Sequence, residues 1–407
     1  MKILWFSNVP FPEQLKRAGT EGGMAGFWML ALMEALCEDG RVELAVCCES
    51  GQFSEELDFV EKGVRYVCLP PSKSGRAAKN TSSGVSRYRE IIKNLEPDVA
   101  HVHGTENSYG LLKAPNLPPV IVTIQGLLDV YTDAFWGQIP FFQRFRFPSM
   151  VLSHRLMKKK AVREREIISV NQYFGGRTLW DHGHVKRLNP NAKYYHLPEL
   201  LRECFFNEHW DINQAERFQI YSTTTPRSYK GTDVLIDAVA LLKKEFPQIS
   251  LRIGGPVGNR RLSWSRYLRD KVIQLGLSDN ISFLGFVSAE SIVSELKQAR
   301  VYVLPSFIEN SPNSLGEAQL VGTPVVSTMM GGVLSMLRHE DSGLLTNVGD
   351  ASVMAEQIGR IFKDDGLAQK LCDGGRVHAR DRHNPDFVVK QHIDTYSQLI
   401  KVSQIDD

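Results

Sequence analysis

Short apolar runs alternate with helix-like stretches along the whole chain, which is typical of a parallel β-sheet covered by helices. The runs that predict strands in the first half are Ile3–Ser7, Val42–Cys47, Val64–Leu69, Val99–Val102, Val120–Ile124 and Ile167–Val170. The pattern restarts in the second half at Phe218–Ser222, Ile249–Ile253, Ile281–Leu284, Val301–Leu304 and Pro324–Ser327. Stretches such as Met24–Cys37, Thr232–Phe246 and Ser314–Val321 predict the intervening helices. We therefore expect an α/β protein with two Rossmann-like, doubly wound domains.

The domain boundary is predicted in the polar stretch after His196, where aromatic and charged residues mix without a clean period. A chain of 407 residues suits two or three domains at about 150 residues each. We expect an N-terminal domain over 1–200 and a C-terminal domain over 201–385. The amphipathic stretch after Pro385 follows no strand, and residues 386–407 are predicted to form a helix that crosses back to the N-terminal domain.

Composition and charge exclude several classes of protein. Lys and Arg total 48 against 46 Asp and Glu, a net charge of +2, which argues against a dedicated nucleic-acid binder. The sequence contains no run of 18 or more apolar residues, which is the length that a helix needs to span a bilayer. The opening MKILWFSNVPFPEQ has a shorter apolar run than a secretory signal requires. We expect a cytoplasmic protein.

Two loops that follow predicted strands carry candidate phosphate-binding residues. Gly22 and Gly23 precede a helix, where paired glycines allow close approach of a phosphate, although an ordinary helix-entry turn explains them equally well. Arg227 and Lys230 precede Gly231 at the start of another helix. A cation beside the positive end of a helix dipole indicates an anion between them, such as a diphosphate. The alternative is a solvated loop lysine.

The richest segment is PSFIENSPNSLGEAQLVGTPVVSTMMGG, which follows the fourth apolar run of the second half. Its carboxylates Glu309 and Glu317 stand eight positions apart. Asn313 or Ser314 is predicted to cap a helix that begins near Leu315, with Glu309 in the preceding loop and Glu317 in the first turn. Helix amides then bind an anion, while the carboxylates accept hydrogen bonds from sugar hydroxyls, as in ribose recognition.

The E-x7-E spacing between strand and helix, followed by GTPVVS and a Gly-Gly pair, resembles the retaining glycosyltransferase family 4. The motifs PDVAHVHG, VIVTIQG, YKGTDVLIDA, RIGGP and ISFLGF extend the resemblance over nearly the whole chain. NSPNSLGEAQLVGTPVVST, with GRTLWD and LNPNAKYYH, looks like the branch that builds capsule, lipopolysaccharide or exopolysaccharide. The resemblance implies the GT-B fold, in which two Rossmann-like domains face each other across a cleft. The N-terminal domain would bind the acceptor and the C-terminal domain the nucleotide-sugar.

The resemblance also implies roles for the matched residues. Glu309 would hold the donor sugar, Lys230 the diphosphate oxygens and Glu317 the ribose hydroxyls. Amides of Asn313, Ser314 and Leu315 would cradle the diphosphate, which Gly22 and Gly23 would face from the other domain, while Gly255 and Phe286 would border ribose and base.

Two positions depart from the family pattern. The family's Arg upstream of Lys-Gly is replaced by Thr224 and Thr225, and Arg227 is the nearest substitute. The family motif T-x-H-G reads TIQG, with Gln125 in place of the histidine. Gln cannot act as a general base, but it donates and accepts hydrogen bonds. Gln125 is therefore predicted to orient the sugar or the acceptor hydroxyl, as the third catalytic residue beside Glu309 and Lys230.

The resemblance implies a retaining hexosyl- or N-acetylhexosaminyl-transferase that uses a nucleotide-sugar, with UDP as the expected nucleotide. The leaving diphosphate oxygen takes the acceptor proton, and no D-x-D motif is evident, so we expect neither cofactor nor metal. The acceptor would be a polyprenyl-diphosphate-linked or oligosaccharide hydroxyl. His103, at a strand end, either lines the acceptor cleft or is structural. The alternative function is a non-catalytic nucleotide-sugar sensor or assembly scaffold on the same fold.

Residues 135–165 are both aromatic and basic. Between Gln143 and Glu166, eight basic residues face only two acidic ones. The preceding AFWGQIPFFQRFRF carries six aromatic residues. Aromatic and basic side chains together suit peripheral attachment to the inner, anionic face of a cytoplasmic membrane. The alternative is a solvated helix whose aromatic residues lie in the core of their own domain.

Overall fold

The computed structural model describes residues 1–20, 27–71, 82–112, 116–225, 227–256 and 263–406. Contacts within the chain define two compact units. The first comprises Met1–Asp129, Lys159–Leu200 and His383–Asp407, and the second comprises Val130–Lys158 and Leu201–Arg382. Each unit contains one sheet and its own buried core.

The first unit is built on an eight-stranded sheet in the order β3-β4-β2-β1-β5-β6-β7-β8. Its strands are β1 (Lys2–Ser7), β2 (Glu43–Glu49), β3 (Leu57–Glu61), β4 (Val64–Leu69), β5 (Val99–His103), β6 (Val120–Thr123), β7 (Tyr173–Gly176) and β8 (Lys193–His196). Edge strand β3 pairs antiparallel with β4, and the other pairs are parallel. The central strands β1 and β5 are buried almost throughout, as expected for a sheet covered on both faces.

The second unit contains a six-stranded, parallel sheet in the order β11-β10-β9-β12-β13-β14. Its strands are β9 (Glu216–Thr223), β10 (Ser250–Gly254), β11 (Ile281–Gly285), β12 (Ala299–Leu304), β13 (Val325–Thr328) and β14 (Leu344–Thr346). Strand β12 is buried at every position. The order reverses direction at β9 and β12, and ligands of open α/β sheets bind beyond the carboxyl ends of strands at such a point.

The helices, in chain order, are α1 (Pro12–Arg17), α2 (Phe27–Asp39), α3 (Ser82–Leu95), α4 (Leu128–Ala134), α5 (Pro148–Val170), α6 (Leu179–Leu188), α7 (Thr232–Leu242), α8 (Trp264–Gln274), α9 (Ala289–Gln298), α10 (Asn313–Val321), α11 (Ala351–Lys363), α12 (Asp365–Arg382) and α13 (Pro385–Asp406). No helix in the described part of the chain is long and apolar enough to span a membrane. The last helix, α13, lies in the first unit, where Tyr396 accepts a hydrogen bond from Trp5 Nε1 at 3.1 Å and bonds to His101 Nδ1 at 2.8 Å.

One predicted strand is wrong. Ile167–Val170 forms the end of α5 instead of a strand. Ile167 and Ile168 are buried together with Ala161 and Glu164, at the spacing of one helix face. The sequence pattern predicted a strand here because two adjacent buried apolar residues at a helix end resemble a short apolar run.

Residues 130–158, which we predicted within the N-terminal domain, lie in the second compact unit. The reason is hydrophobic packing: Phe135, Trp136, Ile139 and Phe147 are buried in the core cluster of that unit. A segment that precedes the boundary in sequence thus contributes to the core of the unit that follows it.

Candidate active site

Glu309 lies in the loop after β12 and is only 5% exposed. Lys230 Nζ donates to Glu309 Oε1 at 2.5 Å, and Ser306 Oγ donates to the same oxygen at 2.8 Å. The hydroxyl of Tyr131, from α4, donates to Oε2 at 3.4 Å. The structure therefore brings together Glu309 and Lys230, which the sequence singled out separately. Sequence reasoning missed Ser306, although it lies in the same segment as Glu309, and Tyr131, which lies in no quoted motif.

The pairing with Glu309 keeps Lys230 charged. Burial by itself lowers the pKa of Lys230, but the charge of Glu309 and the hydrogen bond to it outweigh that effect, and the net pKa is raised. A half-buried ammonium next to a buried carboxylate offers one donor for anionic oxygens and one acceptor for hydroxyl groups.

Two glycines let the backbones around this pair approach closely. Gly231 has φ +65°, and a Cβ there would overlap the carbonyl oxygen of Pro305. Gly331 has φ +48°, and a Cβ there would overlap the carbonyl oxygen of Glu309. Only glycine fits such left-handed, crowded positions without strain. The Lys230 turn and the Gly-Gly pair after β13 therefore hold the Glu309 loop in place.

The start of α10 differs from the predicted start. The helix begins at Asn313 with Pro312 in the N-cap position, and no side chain caps it. The predicted cap by Asn313 or Ser314 is therefore wrong, and Glu317 lies in the second turn rather than the first. The amide of Leu315 donates to the Pro312 carbonyl at 3.0 Å. The amides of Asn313 and Ser314 have no acceptor within the helix and remain the candidate anion-binding groups.

Glu317 points into a buried contact with Arg202. Arg202 Nη2 and Nε donate to Glu317 Oε1 at 2.6 and 3.1 Å. Burial raises the pKa of Glu317, and Arg202 partly opposes that shift. The Arg202 guanidinium also lies over the Phe205 ring at 4.7 Å. Sequence reasoning missed Arg202, because it lies in the aperiodic boundary stretch.

The other donor-site predictions fall at strand ends of the same unit. Gly255 follows β10 with φ +123°, and a Cβ there would overlap the carbonyl oxygen of Thr224. Phe286 follows β11 and is 63% exposed. Arg227 is exposed directly before the Ser228–Lys230 turn. Gly22 and Gly23 lie outside the described residues, so their predicted role remains a prediction.

In the first unit, Gln125 follows β6 and is held by an arginine. Arg177 Nη2 donates to the Gln125 backbone oxygen at 3.1 Å and to Oε1 at 3.2 Å. Arg177 is 4% exposed and is ion-paired with Glu199, which is 8% exposed. Sequence reasoning singled out neither Arg177, although it lies in the GRTLWD motif, nor Glu199. Because a guanidinium only donates, it fixes which end of the Gln125 amide is the oxygen.

His103, at the end of β5, is buried and neutral. Burial, followed by the charges of His392 and Arg177, lowers the pKa of His103 to about 3. Its ring stacks on His101 at 4.0 Å between centroids and meets Trp5 edge-on at 4.5 Å. An imidazole with this pKa offers hydrogen bonds, not a proton for acid catalysis at neutral pH.

Within the ranges that the structure describes, no group of three or more His, Cys, Asp or Glu side chains is placed to hold a metal ion.

Two Rossmann-like units with a cation, carboxylates and helix amides beyond the strand ends define a protein of the GT-B fold class. The model of the family "Glycosyl transferases group 1" matches residues 207–378, and that of "Glycosyl transferase 4-like" matches residues 29–170. Together they cover more than half of the chain. The chain therefore belongs to the group 1 glycosyl transferases, with a glycosyl transferase 4-like N-terminal half.

Curated relatives carry glycosyltransferase names. A D-inositol 3-phosphate glycosyltransferase of Salinispora tropica is 31% identical over 42% of this chain and 36% of its own length. A 2-deoxystreptamine N-acetyl-D-glucosaminyltransferase of Niallia circulans is 27% identical over 82% of this chain and 86% of its own length. The chain spans only 34–40% of the length of the first curated relatives that it matches.

A solved structure shares the fold over nearly the whole chain. Anabaena Alr3699/HepE in complex with UDP-glucose superposes with a TM-score of 0.70, covering 98% of this chain and 100% of that one, at 15% identity. At that identity the likeness establishes the fold alone.

Proposed function

We propose that this protein transfers a hexosyl or N-acetylhexosaminyl group from a UDP-sugar to a hydroxyl of a polyprenyl-diphosphate-linked or oligosaccharide acceptor, with retention and without a metal ion. The acceptor belongs to the synthesis of a bacterial surface polysaccharide. The observation that carries the proposal is the Lys230–Glu309 pair beyond the carboxyl ends of β9 and β12, with the α10 amides in the same unit. Family membership supports sugar transfer, and the motif resemblance supports retention and the polysaccharide branch.

The chemistry follows from charge placement. The bond between the anomeric carbon and the leaving diphosphate oxygen breaks, the acceptor oxygen bonds to that carbon, and the acceptor proton passes to the diphosphate oxygen. Negative charge therefore grows on the diphosphate. Lys230 and the amides of Asn313 and Ser314 stabilise it, while Glu309 accepts from donor-sugar hydroxyls. Gln125 orients the sugar or the acceptor hydroxyl.

The donor site is tested by calorimetric titration of the purified protein with UDP, GDP and ADP, in EDTA and in Mg²⁺. We expect UDP to bind best, with the same affinity in both buffers. Glu317→Gln should weaken UDP binding about tenfold or more, because a charge-assisted hydrogen bond contributes about 1.5–3 kcal/mol. Glu356→Gln, an exposed carboxylate on α11, is the matched control. Equal binding of all three nucleotides would contradict the proposed donor.

Turnover separates the enzyme from the sensor or scaffold alternative. We expect UDP release from UDP-glucose, UDP-galactose or UDP-N-acetylglucosamine when a polyprenyl-diphosphate-linked or oligosaccharide acceptor is added. Glu309→Gln should abolish that release while UDP binding persists. A wild-type protein that binds UDP-sugars but releases no UDP with any acceptor in such a panel would favour the sensor.

We also propose that the protein attaches to the inner face of the cytoplasmic membrane through an aromatic-basic surface over residues 141–158. Phe141, Phe142 and Phe145 are 70–74% exposed. Leu152 and Leu156 continue the exposed apolar face along α5 at 60% and 40%. The segment holds four Lys or Arg residues and no acidic residue. Exposed aromatic rings beside unopposed cations match an anionic lipid surface.

This surface is narrower than the aromatic segment predicted from the sequence. Phe135, Trp136 and Phe147 are 2–5% exposed and lie in the core of the second unit. Three of the six aromatic residues therefore lie in the domain core, as the alternative interpretation predicted. The other three are exposed and can contact a membrane.

Vesicle sedimentation tests the attachment. The protein should pellet with vesicles containing phosphatidylglycerol and stay in solution with pure phosphatidylcholine vesicles. Replacing Arg144 and Arg146 by Gln should weaken binding about thirtyfold, because each cation near an anionic surface contributes about 1 kcal/mol. Phe142→Ser should weaken it further, whereas Ile273→Ser, an equally exposed apolar side chain on α8, should not. Equal binding to both kinds of vesicle would contradict the proposal.

A further inference from the structure

A small cavity lies in the first unit beside Gln125. Its volume is about 20 Å³, and its polar lining includes His103, Gln125, Arg177 and Glu199. Gln125 is half-buried, while these other three are buried, so a ligand group enters past Gln125. A space of this size holds one oxygen atom with its hydrogen.

Two atoms of the cavity wall are buried without a hydrogen bond. Among the described residues, neither His103 Nε2 nor Glu199 Oε1 has a hydrogen-bond partner. The two side chains are 5% and 8% exposed. A buried polar atom without a partner costs about 1–3 kcal/mol, so a fold that keeps two such residues in the lining of one cavity indicates a bound group.

The hydrogen-bonding properties of these two atoms indicate which chemical group binds in the cavity. Glu199 is ion-paired with Arg177, and the carboxylate oxygen that has no partner only accepts hydrogen bonds. Neutral His103 offers at Nε2 either an N–H or a lone pair. A hydroxyl both donates and accepts, so it satisfies both atoms at once. A phosphate or carboxylate is too large, and the charge of Glu199 repels it.

We propose that this cavity, formed by His103 and Glu199, is a pocket for a single hydroxyl group of a sugar substrate. The proposal rests on the proposed glycosyltransferase function and adds Glu199, which the sequence analysis did not single out, to His103 as a substrate-recognition residue. The hydroxyl donates to Glu199 Oε1 and completes the hydrogen bonding of His103 Nε2. A sugar without that hydroxyl leaves both atoms unpaired, which makes the pocket a specificity determinant.

Arg177 acts as a positioning residue for two side chains of the pocket. It holds Glu199 on one side and the carbonyl end of Gln125 on the other. The Gln125 amide nitrogen is therefore the end that faces away from the guanidinium. At the entrance of the pocket, Gln125 thus serves as a donor to an oxygen of the same sugar.

The test follows the imidazole signal of His103 directly. Protein labelled with ¹³C in its histidine rings is titrated with D-glucose, D-galactose and N-acetyl-D-glucosamine, with and without saturating UDP. The signal of His103 is assigned by its loss in His103→Gln. We expect at least one sugar to shift this signal. The 2-, 3-, 4- and 6-deoxy forms of that sugar should include one that no longer does, while the others still do.

Matched variants complete the experiment. Glu199→Gln keeps the shape of the side chain and removes its charge, and it should weaken the sugar response at least tenfold. Glu90→Gln, exposed on α3 of the same unit, should leave the response unchanged. Thermal unfolding of each variant establishes that it is folded.

The outcomes separate this inference from the donor proposal. UDP binding without any response of His103 to the sugars, or a response that every deoxy form preserves, overturns the hydroxyl pocket and leaves the donor site standing. A selective sugar response in a protein that does not bind UDP supports the pocket and overturns the nucleotide proposal.

Discussion

Lys230 and Glu309 come from loops 79 positions apart and meet at 2.5 Å. At their levels of burial, either charge without its partner would lower the free energy of unfolding, and the ion pair compensates both charges. In the proposed function, the pair is therefore already formed before the donor binds, and the Lys230 ammonium is placed to bind its diphosphate.

This pairing predicts a coupled loss of stability. Lys230→Met and Glu309→Gln should each lower the free energy of unfolding, because each leaves a buried partner without its counter-charge. The double variant should lose less than the sum of the two, with a coupling energy of about 1–2 kcal/mol. Urea unfolding at pH 7.5 measures all three. Strictly additive losses would show that the two side chains do not interact in solution.

Gln125 depends on Arg177 in a different way. Gln125→Glu retains an acceptor for the Arg177 guanidinium and adds a charge of opposite sign, so the variant should be at least as stable as the wild type. It also removes the amide donor, and kcat/KM for UDP-sugar turnover should fall at least tenfold. Parallel measurements of the melting temperature and of turnover separate the two effects. An active, stable Gln125→Glu protein would contradict the donor role.

The loops that follow β9, β12 and β13 form the proposed donor site, and their backbones are in contact. Gly231 contacts the strand-end residue Pro305, and Gly331 contacts Glu309 itself. The position of the carboxylate is thus determined by backbone packing between loops, in addition to its ion pair.

Two glycines with the same backbone angle provide a matched test of this packing. Gly231 and Gly276 have φ +65° and +66°, but a Cβ at Gly276 meets nothing within 4 Å. Gly276→Ala should cost only the left-handed strain of about 1–2 kcal/mol. Gly231→Ala should cost clearly more and weaken UDP binding, because the turn must move away from Pro305. Urea unfolding and UDP titration measure both effects, and equal losses in the two variants would contradict the crowding.

Across the whole molecule, buried histidines are concentrated in the first unit. Burial lowers the pKa of His392 to about 4, and burial together with neighbouring charges lowers the pKa of His103 to about 3. In the unfolded chain both titrate near the ordinary value of about 6.5. At these two histidines the unfolded chain therefore binds more protons between about pH 4 and 6.5, and their contribution to stability falls as the pH falls through this window.

The two units should consequently differ in how much stability they lose at acidic pH. From pH 7.5 to pH 5 each of these histidines removes about 1–2 kcal/mol of stability. Hydrogen exchange should show β5 and β6 losing protection before β9 and β12. His392→Gln should reduce the difference, since it removes one of the groups that must be buried neutral. Equal loss of protection in both sheets would contradict this origin of the acid sensitivity.

The sequence by itself determined the α/β class, the strands that form both sheet centres, and the positions of the main donor-site candidates. Burial on both faces makes central parallel strands continuous apolar runs, so Val99–Val102 is recognised from the local pattern alone. Glu309, Lys230 and Glu317 were found for a related reason. Polar residues directly after such runs fall at the strand ends, where the parallel sheet places ligands.

Only the tertiary structure decided which side chains meet. Arg202 on Glu317, Arg177 on Gln125, and Tyr131 on Glu309 are contacts between distant segments that have no local signature. The same holds for the fate of the aromatic residues. Phe135 and Phe145 look alike in the sequence, yet one is buried in the core and the other is 71% exposed. The local pattern of apolar and polar residues indicates the secondary structure and which positions are expected to be buried. The contacts of each side chain depend on the packing of elements that are distant in the chain.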